Sequence, residues 1–218
     1  MFPIGDDNTA RRSLPVVTYA LIAANLVFFL IELSGGQAFI QQWAFIPRRF
    51  GQDPYGAAPT ILTAMFMHAG WLHLGGNMLY LWIFGDNIED RFGPVKFLIF
   101  YLVCGLAATF AQYYVSPNSR IPNVGASGAI AGILGSYLLL FPHARVRVLL
   151  YNQIVLMPAL AVLGFWIALQ IFAGAGALFA TAQTEDTGGV AYMAHVGGFV
   201  AGFLITLVLR GSGSRAGP

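Results

Sequence analysis

Two residues set in long apolar stretches have the chemistry for acyl transfer. Ser127 lies in Asn123-Val-Gly-Ala-Ser-Gly-Ala-Ile-Ala-Gly132, which opens an apolar segment running to Phe141. His195 lies in Ala194-His195-Val-Gly-Gly198, near the start of another. A serine hydroxyl is a weak nucleophile until a hydrogen-bonded base removes its proton, and an imidazole can later return that proton to a leaving amine. If the two segments touch, Ser127 is the nucleophile and His195 its base. No carboxylate is a good third member. Asp6, Asp7, Glu32, Asp53, Asp86, Glu89, Asp90, Glu185 and Asp186 all fall at the ends of apolar runs or outside them. The expectation is therefore a Ser–His dyad with slow turnover.

Acyl transfer also needs donors for a developing oxyanion. His73 and Asn77 are four residues apart and share a helix face. Their side chains, with the Ser127 N–H, could supply those donors; a structural polar pair bridging helices is the competing reading. His68 is expected to anchor a loop by a hydrogen bond, and His143 falls in a turn. Other signatures fail. Gly125-Ala-Ser127-Gly-Ala129 lacks the last glycine of a nucleophile elbow. His68 and His73 are five apart with no HExxH glutamate, which argues against a zinc protease. No phosphate loop or nucleic-acid signature is present.

The elements that must position these residues are membrane helices. Of 218 residues, 57% are hydrophobic and 9% charged, against about a quarter charged in soluble domains. Mean hydropathy is +0.70, so the class is a polytopic membrane protein. The single cysteine, Cys104, excludes an internal disulfide. The pattern predicts an all-α bundle of six spans, at roughly 16–33, 70–88, 95–115, 124–141, 151–178 (kinked at Pro158) and 190–209. Residues 1–15 are expected as a mobile tail, 34–60 as an interfacial loop, Thr181 to Gly189 as a polar loop and 211–218 as a flexible tail. Six spans place both termini on one side. That side then carries Arg11, Arg12, Arg91, Lys96, Arg145, Arg147, Arg210 and Arg215, against Arg48, Arg49 and Arg120 on the other. Eight against three predicts cytoplasmic termini.

Depth follows from spacing. Ser127 precedes Pro142 by fifteen residues, and His195 precedes Arg210 by fifteen. At about 1.5 Å per residue both sit about 22 Å up a hydrocarbon core of about 30 Å. Asn77, thirteen residues before Asp90, sits about 20 Å up. Small residues would let the rods meet: Gly125, Gly128, Gly132 and Gly135 in one segment, Gly198 and Gly202 in the other. Such faces are also ordinary packing devices. A histidine at that depth is costly and marks function by default.

Taken together, His68-Ala-Gly-Trp-Leu-His73-Leu-Gly-Gly-Asn77, Gly125-Ala-Ser127-Gly128 and Ala194-His195-Val-Gly-Gly198 followed by Gly202 resemble the rhomboid family of intramembrane serine proteases. The resemblance spans roughly Trp43 to Arg210. It implies a six-helix bundle with a water-filled cavity open to the outside, a Ser127–His195 dyad, and an oxyanion site at His73, Asn77 and the Ser127 amide. It implies single-span membrane proteins as substrates, a lateral gate at helix five, and no metal or cofactor. An outward-opening site in a prokaryotic plasma (inner) membrane is the expected setting. Two departures stand out. Many members carry Trp-Arg where this chain has Pro59-Thr60, leaving Arg48-Arg49 to anchor the first loop. Some place a tyrosine against the histidine where this chain has Ala131, so His195 must be oriented otherwise. The competing functions are a catalytically silent relative that captures membrane clients, and a channel. A silent binder has no need of both Ser127 and His195, and a channel wants a polar path through inner helix halves that are here almost wholly apolar.

Overall fold

The computed structural model describes residues 2–9, 11–181 and 191–213. The chain is mostly helical but not all-α. Strand β1 (Phe2–Gly5) leads into helix α1 (Val16–Trp43), followed by the short helices α2 (Pro47–Gln52), α3 (Pro54–Ala57) and α4 (Pro59–Thr63) and a 3₁₀ turn at Ala64–Phe66. The long helices α5 (Trp71–Phe92), α6 (Pro94–Val115) and α7 (Ser127–Leu140) follow. Strands β2 (Arg145–Leu150) and β3 (Gln153–Pro158) then precede α8 (Ala159–Thr181) and α9 (Tyr192–Gly213). Among the described residues four helices are long and apolar enough to cross a membrane: α1, α6, α8 and α9. Helix α7 is apolar but only 14 residues long, and α5 ends in Asp86, Glu89, Asp90 and Arg91. The predicted loop at 181–189 lies outside the described residues except for Thr181, and so do residues 214–218 of the predicted C-terminal tail.

Helix α7 is the axis of the bundle. Every residue from Gly128 to Tyr137 is buried, so this short helix meets protein rather than lipid over most of its length. It crosses α9 at backbone contact. A Cβ on Gly198 would lie 2.0 Å from the Gly128 carbonyl oxygen, and one on Gly202 would lie 2.0 Å from that of Gly132. Helix α6 closes the third side, with Ala108 against Gly128 and the buried Cys104 against Gly132. Without a hydrophobic drive between helices in lipid, such close approach is what dispersion can use.

Four expectations need correction. First, α1 does not stop near Leu33. It runs on to Trp43 through a kink at Gly36 (φ 58°, ψ −150°), a left-handed conformation that glycine adopts without penalty. Glu32 is therefore buried within a helix, where it accepts from the His68 main-chain N–H at 2.9 Å. Second, the expected loop at 34–60 is not a plain loop: its first part is the end of α1. Pro47, Pro54 and Pro59 each open a short helix, at the position where a missing N–H costs nothing. Arg49 donates to the carbonyls of Gln41 and Ala44, tying this region to the end of α1. Third, Pro158 does not kink a helix. It ends β3, an edge strand where proline is tolerated, and α8 starts after it. Fourth, residues 1–15 are not a loose tail. Strand β1 pairs antiparallel with β2, with Phe2 opposite Leu149 and Gly5 opposite Arg147, and β2 pairs antiparallel with β3.

The N-terminal segment is fastened by carboxylates. Helix α1 has no side-chain cap of its own. Glu89, at the end of α5, accepts from the N–H groups of Val17 and Thr18 at 2.8 and 2.7 Å, filling donors that a helix start leaves open. Arg11 pairs with Asp86 at 2.7 Å. Asp6 accepts from the Tyr137 hydroxyl at 2.7 Å and from Asn87 at 2.8 Å. Burial pushes the Asp6 carboxyl up to about 6, outweighing the Tyr137 bond.

Two predictions follow from this packing. Gly202→Ala forces a methyl onto a backbone oxygen and should cost about 1–3 kcal/mol, read as a clear drop in apparent Tm in detergent. Gly75→Ala, where a Cβ meets nothing within 4 Å, should leave the Tm unchanged. Because the folded state holds the Asp6 proton to higher pH than the unfolded chain, this group's contribution favours folding below about pH 4 and is lost as pH rises to about 6. Asp6→Asn should therefore flatten that fall and raise the Tm at pH 7.5, measured by thermal melts across pH 4–8.

Candidate active site

Three helices begin at the same end of the bundle, and each carries a polar residue in its first turns. Ser127 is the first residue of α7, His73 the third of α5, and His195 the fourth of α9. The expected span from 124 thus starts three residues late, because Asn123 to Ala126 are held by the first-loop region instead. Asn123 N–H donates to the Phe45 carbonyl at 2.8 Å and Gly125 N–H to the Ala64 carbonyl at 2.9 Å. Gly125 has φ +128°, open to glycine alone at little cost. Its α-carbon faces the next helix so closely that an added Cβ would lie 2.9 Å from His73 Nε2 and 3.5 Å from Asn77 Nδ2.

Ser127 Oγ and His195 Nε2 are 2.8 Å apart. The Gly128–Gly198 contact, one residue beyond Ser127 and three beyond His195, makes this possible, since the serine side chain reaches only two atoms from its backbone. His195 is 9% exposed. Its other nitrogen, Nδ1, lies 2.7 Å from Gln170 Oε1 on α8. The Trp166 ring, one turn before Gln170, has its centroid 5.7 Å from that of His195.

His73 and Asn77 lie beside Gly125, one residue short of Ala126 and two from Ser127. Asn77 is 8% exposed, and among the described residues its Nδ2 has no hydrogen-bond partner, a costly condition for a buried amide. His73 Nδ1 faces the Ala69 N–H at 3.4 Å, which directs Nε2 toward Gly125. His68 is buried, with its ring edge-on to Phe29 and 5.2 Å from that of His73. Its main-chain N–H donates to Glu32 at 2.9 Å, while among the described residues neither ring nitrogen has a hydrogen-bond partner. His143 lies beyond the far end of α7. A cavity of about 40 Å³, lined among others by Thr109, Gln112, Asn123, Gly125 and Ser127, has room for a few waters beside the hydroxyl. Gln112 Oε1 also accepts from the Ala194 N–H at 3.3 Å.

Gln170 and Trp166 were not singled out from sequence. The signal available was Gln170 itself, the one strongly polar side chain between Ala159 and Ala180, where an unbonded amide is expensive.

The fold and site define an integral membrane protein with a serine and a histidine in bonding contact at one end of an apolar helical bundle. Residues 56–212 match the family model described as Rhomboid domain, and the chain belongs to the rhomboid family. It is 32% identical over 197 residues to Rhomboid protease GluP of Bacillus subtilis (strain 168), covering 89% of this chain and 35% of that protein. It is 30% identical over 193 residues to the mitochondrial Rhomboid protein 1 of Saccharomyces cerevisiae, covering 86% of this chain and 51% of that one. Putative rhomboid protease YdcA of Bacillus subtilis is 26% identical over 202 residues, 92% of this chain and 91% of that protein. The chain thus spans about a third and about half of the first two relatives.

Proposed function

We propose that this protein is an intramembrane serine endopeptidase, cutting membrane-anchored proteins in or near a transmembrane segment. The observation that carries the reading is the 2.8 Å contact between Ser127 Oγ and His195 Nε2. Ser127 Oγ attacks the scissile carbonyl carbon while its proton passes to His195 Nε2. Negative charge collects on the carbonyl oxygen and is met by Asn77 Nδ2, His73 Nε2–H and the Ser127 main-chain N–H at the start of α7. The Asn77 amide N–H, with no acceptor among the described residues, gains one when such an oxyanion forms. The tetrahedral species collapses, His195 protonates the leaving amine, and an acyl-serine remains. A water from the adjoining cavity then attacks the ester with His195 again as base, freeing Ser127 and the new carboxyl terminus.

In the membrane this reading adds α5 and α7, second and fourth in chain order, to the four spans formed by α1, α6, α8 and α9. Both termini are cytoplasmic and the site opens toward the outer side, in a prokaryotic plasma (inner) membrane. The charge asymmetry supports the orientation, and the near-complete overlap with a bacterial relative supports the setting. Single-span proteins are the substrates.

Ser127→Ala and His195→Ala, each folded by thermal melt, should abolish cleavage of single-span substrates in liposomes. Cleavage retained by either would remove the dyad. Folded Asn77→Ala should cleave about 10²–10³ times more slowly, as other oxyanion donors do. An unchanged rate would leave Asn77 with a structural role only.

A further inference from the structure

Every carboxylate falls at the end of an apolar run or outside one, and among the described residues none pairs with His195. Something else must fix the ring. An imidazole has two tautomers, and only one leaves the Nε2 lone pair free to take the Ser127 proton. Burial near the start of α9 does not choose between them.

We infer that Gln170 is the positioning residue for His195: its amide oxygen accepts a hydrogen bond from Nδ1–H and so sets the tautomer in which Nε2 is the base. The inference rests on the dyad reading and deepens it. Three observations carry it. Gln170 Oε1 is 2.7 Å from His195 Nδ1, and a carbonyl oxygen can only accept, so the proton belongs to Nδ1. The other nitrogen, Nε2, is then an acceptor facing Ser127 Oγ at 2.8 Å, the direction of transfer that acyl chemistry needs. Third, the pair sits in a repeated seam. Trp166 and Gln170 are one turn apart on α8, and His195 and Phe199 are one turn apart on α9. Trp166 lies 5.7 Å from the His195 ring and 6.4 Å from the Phe199 ring. The amide therefore fixes the imidazole by its edge, while the indole limits its rotation.

The bond has a second consequence at the transition state. When Ser127 gives up its proton His195 becomes imidazolium, and the Nδ1–H bond to Gln170 becomes charge-assisted. Gln170 thus strengthens its hold as the barrier is crossed, which lowers the barrier rather than tightening substrate binding. It touches no reacting atom and transfers no proton.

The test compares wild type, Gln170→Met and Gln170→Glu in liposomes with one single-span substrate, with Ser127→Ala alongside. Methionine keeps the length and loses the acceptor; glutamate keeps the acceptor. Gln170→Met should lower kcat about 10- to 100-fold, the worth of one hydrogen bond to a charged group, with KM within about twofold. Gln170→Glu should stay within about threefold of wild type or exceed it. Nitrogen-15 NMR of labelled histidine should show His195 protonated at Nδ1 in wild type and a tautomer mixture in Gln170→Met. Equal kcat in wild type and Gln170→Met, a faster Gln170→Met, or a Gln170→Glu as slow as Gln170→Met would each overturn the inference. These outcomes count with Ser127→Ala silent, so the dyad stands while Gln170 fails. Cleavage by Ser127→Ala would instead remove the dyad itself.

Discussion

A serine side chain is two heavy atoms long, so a hydrogen bond from it to a neighbouring helix requires backbones in contact. The crossing of α7 and α9 meets that requirement by removing side chains on both sides. Gly198 and Gly202 rest on the carbonyls of Gly128 and Gly132 with no room for a methyl. Ser127 is next to Gly128 and His195 is three residues before Gly198, so the pair inherits the spacing of this contact. The same closeness explains why α7 can be so short. Surrounded by α5, α6, α8 and α9, it has no need to match the thickness of a bilayer, and its first residue can sit well inside the protein.

The starting ends of α5, α7 and α9 gather at the site, and this orientation has an electrostatic consequence. Helix starts carry unpaired N–H groups and a partial positive charge. Pointing them at one small volume favours an oxyanion there before any side chain is counted. The opposite end of the bundle is built differently. Carboxylates from α5 and the N-terminal segment take up N–H groups and arginines, and a three-stranded sheet lies against them. Between the two ends the buried polar side chains are few and bonded locally: Asn25 donates to the Leu21 carbonyl and Thr206 to Ser136 and the Gly202 carbonyl.

Much of the site was legible because polar side chains in lipid are expensive. Ser127, His195, His73 and Asn77 stand out against apolar neighbours, and counting residues to each exit placed them at one level. The glycine pattern forecast the α7–α9 contact. What was missed depended on partners distant in sequence. The alternation Arg145-Val-Arg-Val148 is a strand signal, overlooked beside helices, and β1 becomes a strand only by pairing with residues some 140 positions away. Gly35-Gly36 read as a stop, whereas α1 bends there and continues. Gln170 is one amide in a long apolar run, and nothing local says that it meets an imidazole on the next helix. Among the described residues His195 meets Ser127 and Gln170, and that amide was not foreseen.

The central claim is that a buried imidazole makes Ser127 a nucleophile inside the membrane. Its most direct test needs no substrate. The purified protein in detergent is treated with a serine-directed fluorophosphonate, and the adduct is located by mass spectrometry. The account predicts modification at Ser127 in the wild type and almost none in a folded His195→Ala protein. An adduct forming at the same rate without His195, or no adduct at Ser127 at all, would contradict it.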